Sequence, residues 1–290
     1  MSELRDKNLY YVGGVVRDEI LNIPSFDTDY CFEGDAIDFA KKMKLEIIKE
    51  NPDFGTVRVL SDNKEIDIAS TREESYPKAG HLPKVENIGC PLEKDLKRRD
   101  FTINALAKNT VTGEIVDYFN GLDDIKKKEL KLLHKNSFKD DPTRIIRGLK
   151  FSVRFGFELE NETKKLQEEY LKNINYDMSY HRLKKELVET FNLNKQEAFD
   201  KFLKEKIYLL LGENQTIPKI KASVEDEVRK FNIKSPWIIY MGFFDLSALS
   251  LTRRQKKIVE WFSRLREQEA TNNTPPESVI MYKLMYGEKC

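Results

Sequence analysis

Short runs of β-branched and aromatic residues follow one another between residues 9 and 70. Such runs are typical of β-strands. One stretch among them, AIDFAKKM at 36–43, has the spacing of a helix, so the pattern predicts a mixed α/β region. The predicted strands are LYYV (9–12), TDYCF (28–32), LEIIKE (45–50), TVRVL (56–60) and EIDIAS (65–70).

The pattern changes after about Asp123, where Lys, Glu, Leu and aromatic residues recur at helical spacing. Proline-containing breaks separate the helical stretches, and the sequence has no Gly/Ser-rich linker or internal repeat. The second half is therefore predicted to be all-helical. Its helical stretches are TRIIRGLKFSVRF, ETKKLQEEYLKN, RLKKELVETF, EAFDKFLKEKIYLLL and RRQKKIVEWFSRLREQE.

Composition limits the class of protein. The 290 residues are 40% hydrophobic and 34% charged, which suits two or three folded domains. No run approaches the roughly 18–20 apolar residues of a membrane helix, and the start of the chain lacks the apolar core of a signal peptide. We therefore expect no membrane association and a cytoplasmic location. The three cysteines and three histidines do not cluster, which argues against a disulfide framework or a structural zinc site.

Charge is distributed unevenly, although the net charge is only +1. Residues 201–290 carry 16 basic and 11 acidic side chains, which leaves an excess of acid in the rest of the chain. A basic C-terminal part suggests contact with a polyanion. Its densest cluster is also typical of a solvated helix face, but the regional charge favours phosphate contact. The cluster consists of Arg253, Arg254, Lys256 and Lys257.

A glycine pair and an aspartate pair lie close to the first two predicted strands. Gly13-Gly14 precedes a predicted helix, so its backbone N–H groups would lie at a helix N-terminus, where phosphate can bind; a plain turn is the alternative. Asp27 and Asp29 are two residues apart, so on a strand both carboxylates point to the same side. Converging carboxylates favour a divalent metal, whereas a solvated turn is the other interpretation.

A third acid is predicted beside this pair. Asp67 lies between two isoleucines in an alternating strand, so its carboxylate need not face solvent, and Glu65 on the same strand face is its competitor. Three carboxylates on neighbouring strands suit two Mg²⁺ ions about 4 Å apart. That arrangement is typical of a nucleotidyltransferase.

The segment RRDFTINALA at 98–107 combines cations, an acid and an amide. We predict that Arg99, Asp100 and Asn104 lie on a helix. In a nucleotide pocket these groups could bind the triphosphate and the ribose hydroxyls, whereas a solvated helix face is the alternative.

A later segment, DDPTRIIR at 140–147, begins a predicted helix, with an Asp as N-cap and Pro142 in the first turn. Asp141 and Arg144 are one helical turn apart. They form an acceptor and donor pair that could meet the Watson–Crick edge of a base. Capping alone also explains the acid.

Four motifs in this order resemble the class II tRNA nucleotidyltransferases, namely the CCA-adding enzymes and their bacterial poly(A) polymerase relatives. The motifs are GGVVRD (13–18), DTD (27–29), RRDFTINALA (98–107) and DPTRIIR (141–147). The resemblance runs from about Leu9 to Phe157 and continues weakly over 182–187. It implies an α+β protein with a nucleotidyltransferase head built on a five-stranded mixed sheet (1–122), a helical neck (123–192) and a helical body and tail that bind tRNA (193–290).

The resemblance also implies roles for single residues. The catalytic Mg²⁺ ligands would be Asp27, Asp29 and Asp67. The nucleotide-binding residues would be Gly13, Gly14 and Arg17 at the triphosphate, Asp100 and Asn104 at the ribose, Asp141 and Arg144 at the base, with Arg99 and Arg147 completing the site.

The implied reaction is attack by the 3′-hydroxyl of the tRNA acceptor end on the α-phosphate of CTP or ATP, so that CCA is added or repaired without a template. Residues 76–83 occupy the position of a loop whose acid and arginine help many members to switch from CTP to ATP, and both are missing here. An A-adding or CC-adding enzyme or a poly(A) polymerase is therefore an alternative. A catalytically inactive RNA-binding protein is another, which the intact carboxylates disfavour.

Overall fold

The computed structural model describes residues 4–25, 28–61, 63–175, 180–212, 215–265 and 276–287. The chain divides into two compact units. The first runs to Ser137 and includes Glu158–Thr163, and the second comprises Phe138–Phe157 and the chain from Lys164 onward. A further division of the helical part at residue 192 stays a prediction.

The described residues contain eleven β-strands. They are β1 (Leu9–Val12), β2 (Asp29–Phe32), β3 (Glu46–Asn51), β4 (Thr56–Ser61), β5 (Lys64–Ser70), β6 (Arg72–Ser75), β7 (Lys84–Ile88), β8 (Leu106–Asn109), β9 (Ile115–Asp117), β10 (Glu129–Leu130) and β11 (Glu158–Leu159).

Thirteen α-helices lie in the same described ranges. They are α1 (Gly14–Ile20), α2 (Ala36–Lys42), α3 (Leu92–Lys97), α4 (Gly121–Lys127), α5 (Ser137–Asp140), α6 (Thr143–Phe155), α7 (Asn161–Lys172), α8 (Tyr180–Phe191), α9 (Gln196–Lys204), α10 (Val224–Lys230), α11 (Trp237–Met241), α12 (Arg253–Leu265) and α13 (Pro276–Tyr286).

Seven strands of the first unit form one mixed sheet in the order β3-β4-β5-β2-β1-β8-β9. The five strands predicted from the sequence are β1 to β5, and the structure confirms all of them. The sheet is nevertheless larger than the five strands expected, because β8 and β9 extend it beyond β1. These two strands are short and partly polar, so the hydrophobic pattern does not mark them.

Helix α2 packs against one face of this sheet. Val57, Val59 and Ile68 are buried in the core cluster that includes α2. Successive residues of a strand point to opposite faces. The charged neighbours Arg58 and Asp67 therefore lie on the other face, where they are exposed. This alternation places charge on the face of the sheet that α2 leaves uncovered.

Two smaller ladders accompany the sheet. Strands β6 and β7 pair antiparallel and bracket residues 76–83. Strands β10 and β11 pair parallel over two residues each. Both β10 and β11 lie after Asp123, so the prediction that strands end near that residue is wrong for this pair. Strands of two residues are too short to produce a detectable hydrophobic alternation.

All regular secondary structure among the described residues of the second unit is helical, as predicted. Helix α6 packs against α8 and α9 and ends at Gly156, whose φ is 68°. An aromatic cluster forms much of the core, with ring centroids of Phe191 and Phe202 5.2 Å apart and those of Phe191 and Tyr240 5.4 Å apart. Among the described helices, none is long and apolar enough to cross a membrane.

Candidate active site

The first unit carries a cleft of about 500 Å³. Strands β2, β4 and β5 contribute the acids Asp29 and Asp67 and the base Arg58 to its lining. Three further arginines, from β6 and from the residues after α3, also line it. A cleft that combines carboxylates with guanidinium groups suits a polyphosphate held together with divalent cations.

Asp29 and Asp67 lie opposite each other on neighbouring strands. Strands β2 and β5 run parallel, and their register pairs these two residues. Paired residues of adjacent strands point to the same face, so the two carboxylates come together, as predicted. Both residues are exposed. Strand β2 begins at Asp29, one residue later than predicted, and Asp27 lies outside the described residues.

Arg58 on β4 binds the Asp67 carboxylate with two hydrogen bonds. Its Nε donates to Oδ1 at 2.7 Å and its Nη2 donates to Oδ2 at 2.8 Å. These bonds raise the pKa of Arg58. The Asp67 side chain is 55% exposed, so it does face solvent, although its position between two isoleucines did not require this. The flanking isoleucines point toward the core, which leaves Asp67 on the open face together with Glu65, and Glu65 accepts from Arg58 Nη1 at 3.3 Å.

The donor chemistry of this pair fits a hard divalent cation. Asp29 and Asp67 offer exposed carboxylate oxygens, the ligands that such cations prefer. Within the described ranges, no group of three His, Cys, Asp or Glu side chains is placed to hold a metal ion. The predicted third ligand, Asp27, lies outside those ranges. A metal at Asp67 would have to displace the guanidinium of Arg58.

Gly13 allows a close approach of Arg99. Its φ is 70° and its ψ is −122°, a combination that residues with a Cβ rarely adopt. A Cβ at this position would lie 2.7 Å from Nη1 of Arg99. The backbone N–H of Gly13 donates to the Leu106 carbonyl at 3.0 Å, so it already has an acceptor. Of the two predicted phosphate contacts, only the one from the N–H of Gly14 is therefore still supported. Helix α1 begins at Gly14, so the helix expected after the glycine pair includes the second glycine of that pair.

Substitution of Gly13 by Ala is expected to cost about 1–3 kcal/mol of unfolding free energy, because the backbone conformation becomes strained. It should also weaken nucleotide binding, because the new methyl group displaces Arg99 from the cleft. Gly113→Ala is the matched control, since Gly113 has a φ of 71° and a Cβ there would meet no atom within 4 Å. Urea unfolding and ATP titration check both effects. Equal ATP affinity in the two variants would contradict the role given to Gly13.

A buried chain of hydrogen bonds joins α1 to the segment after α3. Arg17 and Asp18 are each 4% exposed, and Arg17 donates to Asp18 Oδ1 from Nε at 2.8 Å and from Nη2 at 2.6 Å. Arg17 Nη1 also donates to Oδ1 of Asn104, whose Nδ2 donates to Asp100 at 2.9 Å. The prediction of a helix over 98–107 is wrong, because this segment forms a 3-10 turn and the start of β8.

This network bears on three predicted nucleotide contacts. Arg17 was expected at the triphosphate, and Asp100 and Asn104 at the ribose. Their polar atoms are largely engaged with one another and buried. The geometry therefore disfavours these direct contacts, which stay predictions. Arg99, in contrast, lines the cleft, as a triphosphate ligand should.

In the second unit, Asp141 stabilises the start of α6. Its Oδ1 accepts from the N–H and the hydroxyl of Thr143, the first residue of α6, at 3.1 and 2.6 Å. The N-cap position itself is occupied by Pro142, not by the Asp that the sequence predicts. Its other oxygen accepts from Arg182, a partner that the sequence analysis missed. Arg144 is 4% exposed. Base contacts by Asp141 and Arg144 stay predictions.

Arg147 has a packing role in the same unit. Its Nη1 donates to Glu186 at 3.3 Å, and its guanidinium lies 5.4 Å from the ring centroid of Phe151. Lys150 binds the same glutamate at 2.8 Å. These contacts account for the position of the Arg147 side chain without a bound ligand. The nucleotide contact expected of Arg147 therefore stays a prediction.

The four predicted RNA-binding cations lie at the start of α12. All four are exposed, and none has an ion pair or side-chain hydrogen bond within the described part of the chain. They are Arg253, Arg254, Lys256 and Lys257.

Several residues at the cleft were not singled out from the sequence. Arg58 was missed because its partner lies on another strand and only the strand register brings the two together. Asp95 and Arg98 were detectable together with Arg99, which the sequence did single out, because their i, i+3 and i+4 spacing is that of ion pairs on a helix. Glu74 has no such local signal.

Comparisons with known proteins agree with the motifs. Residues 9–131 match the family described as the Poly A polymerase head domain. The A-adding tRNA nucleotidyltransferase of Aquifex aeolicus is 42% identical over 54% of this chain and 20% of its own length, and the CCA-adding enzyme of Streptococcus uberis is 38% identical over 61% and 44%. A solved structure of a CCA-adding enzyme, apo form II, has a TM-score of 0.76 at 25% identity and covers 94% of this chain and 74% of its own.

The resemblance to tRNA nucleotidyltransferases and the predicted α+β fold class are thereby confirmed. The chain spans less than half the length of the curated relatives named above. The sequence relationship to these relatives covers 54–61% of the chain, and the family match lies within residues 9–131, whereas the likeness of fold extends over 94% of the chain.

Proposed function

We propose that this chain is a Mg²⁺-dependent tRNA nucleotidyltransferase that adds or repairs the 3′-terminal CCA from CTP and ATP without a nucleic-acid template. The observation that carries the proposal is the pairing of Asp29 with Asp67 at a cleft lined by arginines. This cleft lies in the part of the chain that matches the Poly A polymerase head domain. The relatives of that part are named for the addition of A or of CCA.

The chemistry is an in-line substitution at phosphorus. The 3′-hydroxyl of the RNA loses its proton and attacks the α-phosphorus, the bond to the bridging oxygen breaks, and pyrophosphate leaves. Bound divalent cations would lower the pKa of the hydroxyl and offset the charge of the phosphates. Asp29 and Asp67, together with Asp27, would hold these cations, and Arg58 would release Asp67 when they bind.

We assign binding of the triphosphate to the arginines of the cleft. Arg72, Arg98 and Arg99 present planar guanidinium groups, which bind phosphate oxygens through paired hydrogen bonds. We assign base choice to Asp141 and Arg144. A carboxylate accepts from the exocyclic amine and a guanidinium donates to the ring nitrogen, and cytosine and adenine both offer this pattern.

We expect the four cations of α12 to contact RNA phosphates. Changing Arg253, Arg254, Lys256 and Lys257 together to Gln should weaken tRNA binding and flatten its salt dependence. Each lost phosphate contact removes about 0.7–0.9 from the slope of log affinity against log salt. Fluorescence anisotropy with labelled tRNA between about 50 and 200 mM salt measures this slope.

Lys164→Gln with Lys165→Gln is the control for this prediction, because both lysines are exposed on another helix, α7. The control should keep the slope of the unaltered protein. If the α12 variant kept it as well, the cluster would be a solvated helix face.

The direct test of the proposed function is the length of the products formed on three tRNAs, ending in the discriminator base, in C and in CC. With CTP, ATP and Mg²⁺ together, we expect additions of three, two and one nucleotides, respectively. Addition that continues beyond CCA, or on unstructured RNA, would indicate a poly(A) polymerase. No addition to any of the three would overturn the proposal and favour an RNA-binding protein.

A second candidate is an A-adding enzyme that works after another enzyme has added CC. Two observations favour it: the Aquifex aeolicus relative is named for this activity, and residues 76–83 lack the acid and the arginine associated with the switch from CTP to ATP. This candidate predicts that only the CC-ending tRNA is extended, by a single A. The same product-length experiment therefore separates the two.

A further inference from the structure

Two buried carboxylates lie beneath the arginines that line the cleft. Asp95 is 0% exposed, and the side chain of Glu74 is 2% exposed. The side chains of Arg72, Arg98 and Arg99 keep 16%, 19% and 20% exposure, respectively. A ligand in the cleft can therefore touch the arginines but not the carboxylates.

Asp95 holds two of these arginines by their side chains. Its Oδ1 accepts from Arg98 Nε at 3.0 Å and Nη2 at 2.8 Å, and its Oδ2 accepts from Arg99 Nη2 at 3.2 Å. It also accepts from the backbone N–H of Arg72 at 3.1 Å. One buried carboxylate thus ties together α3, the residues after it and the first residue of β6.

Glu74 holds the third arginine and shares the second. Its Oε1 accepts from Arg72 Nε at 2.7 Å and from Arg98 Nη1 at 3.1 Å. Arg98 is therefore bound at all three of its side-chain nitrogens, which leaves little freedom for its guanidinium plane. Arg72 is fixed further, because its Nη1 donates to the Phe54 carbonyl at 3.0 Å.

The cluster keeps an excess of positive charge. Burial alone would raise the pKa of Asp95, but Arg98 and Arg99 hold it below its ordinary value, so the carboxylate stays ionised. Three guanidinium groups then face two carboxylates. In addition, the buried Nε of Arg99 has no hydrogen-bond partner among the described residues. An anion in the cleft would supply the missing negative charge.

We propose that Asp95 and Glu74 are positioning residues that hold Arg72, Arg98 and Arg99 as a preformed cradle for the polyphosphate tail of the nucleotide. This inference rests on the proposed function, and it assigns to two residues that never touch the ligand the task of orienting the three that do. Arginines held in advance lose less conformational entropy when phosphate binds.

A positioning role for Asp95 and a simple charge effect predict opposite changes in anion affinity when Asp95 is replaced by Asn. Asp95→Asn removes one negative charge next to the cleft, so by charge alone it would tighten the binding of an anion. If Asp95 orients the arginines, the same change weakens binding although the site becomes more positive. Groups that orient the ligands of a metal contribute about 10–100-fold to affinity. By analogy, we expect a loss of about tenfold here.

The test is calorimetric titration of the full chain with sodium pyrophosphate in metal-free buffer. We expect Asp95→Asn and Glu74→Gln each to bind about tenfold more weakly than the unaltered protein. Glu73→Gln is the matched control, because Glu73 lies beside Glu74 on β6 but keeps 43% of its side chain exposed and pairs with Lys94 at 3.0 Å. It should bind pyrophosphate as the unaltered protein does.

Unchanged or tighter binding by folded Asp95→Asn and Glu74→Gln would overturn the inference, as would the absence of pyrophosphate binding by the unaltered protein. If Asp95→Asn does not fold, Glu74→Gln decides the matter. The proposed function fails separately: a protein that binds pyrophosphate as expected but extends no tRNA would overturn that function and leave the cradle standing.

Discussion

Replacement of Asp29 by Asn is expected to abolish nucleotide incorporation while the protein stays folded and still binds tRNA. The amide has the size of the carboxylate but not its charge, so it is a poor ligand for a hard cation. Loss of several kcal/mol of metal-derived stabilisation corresponds to a fall in rate of about a thousandfold or more. Asp29 is exposed, so the fold should tolerate the change. Initial rates of labelled ATP incorporation, thermal unfolding and tRNA binding measure the three effects.

Asp67→Asn should behave in the same way, and Glu65→Gln is its control. Glu65 lies on the same strand face and hydrogen-bonds to the same arginine, Arg58. Only Asp67, however, lies in register with Asp29. Activity retained by Asp29→Asn would refute the metal assignment. A loss in Glu65→Gln as large as that in Asp67→Asn would make Glu65 the third ligand.

Replacement of Arg17 by Met is expected to have the largest effect on stability. It takes the charged partner away from Asp18, which is 4% exposed, and it removes the donor that Arg17 offers to Asn104. Breaking a buried ion pair from one side costs about 3–5 kcal/mol. That is a large part of the total stability of a domain, about 5–15 kcal/mol. Urea unfolding at constant pH and temperature measures the loss.

The double variant Arg17→Met with Asp18→Asn is the control, because it removes both charges of the pair. Its loss should be smaller than the sum of the two single losses, since no uncompensated charge stays buried. An exposed pair such as Lys41–Glu50 should contribute little when broken. A cost for Arg17→Met as small as that of the exposed pair would contradict the structural role given to Arg17.

Most of the head could be predicted from the sequence, because its strands carry the signal within themselves. LYYV is a short apolar and aromatic run, TVRVL and EIDIAS alternate clearly, and each became a strand near the expected bounds. Asp29 and Asp67 were found because acids within strands are chemically conspicuous. The predicted order of an α/β head followed by helices is likewise a consequence of local periodicity.

The rest depends on contacts between distant residues, which a single sequence does not reveal. The two isoleucines that flank Asp67 left open which way its side chain faces; in the structure the isoleucines pack toward the core and the acid lies on the open face. Arg17 was expected at the triphosphate, and only the fold brings Asn104 to it, 87 residues along the chain. Glu74 and Arg98 are likewise far apart in sequence, and burial makes their pairing important.

The central claim is nucleotidyl transfer to the 3′ end of tRNA, and the fate of labelled phosphates tests it most directly. The unaltered protein is incubated with Mg²⁺, a tRNA ending in CC, and ATP labelled at either the α- or the γ-phosphate. We predict that the α-label appears at the 3′ end of the tRNA and that the γ-label leaves as pyrophosphate, both only when the metal is present. Release of the γ-label as inorganic phosphate, or an α-label that never joins the RNA, would contradict the account.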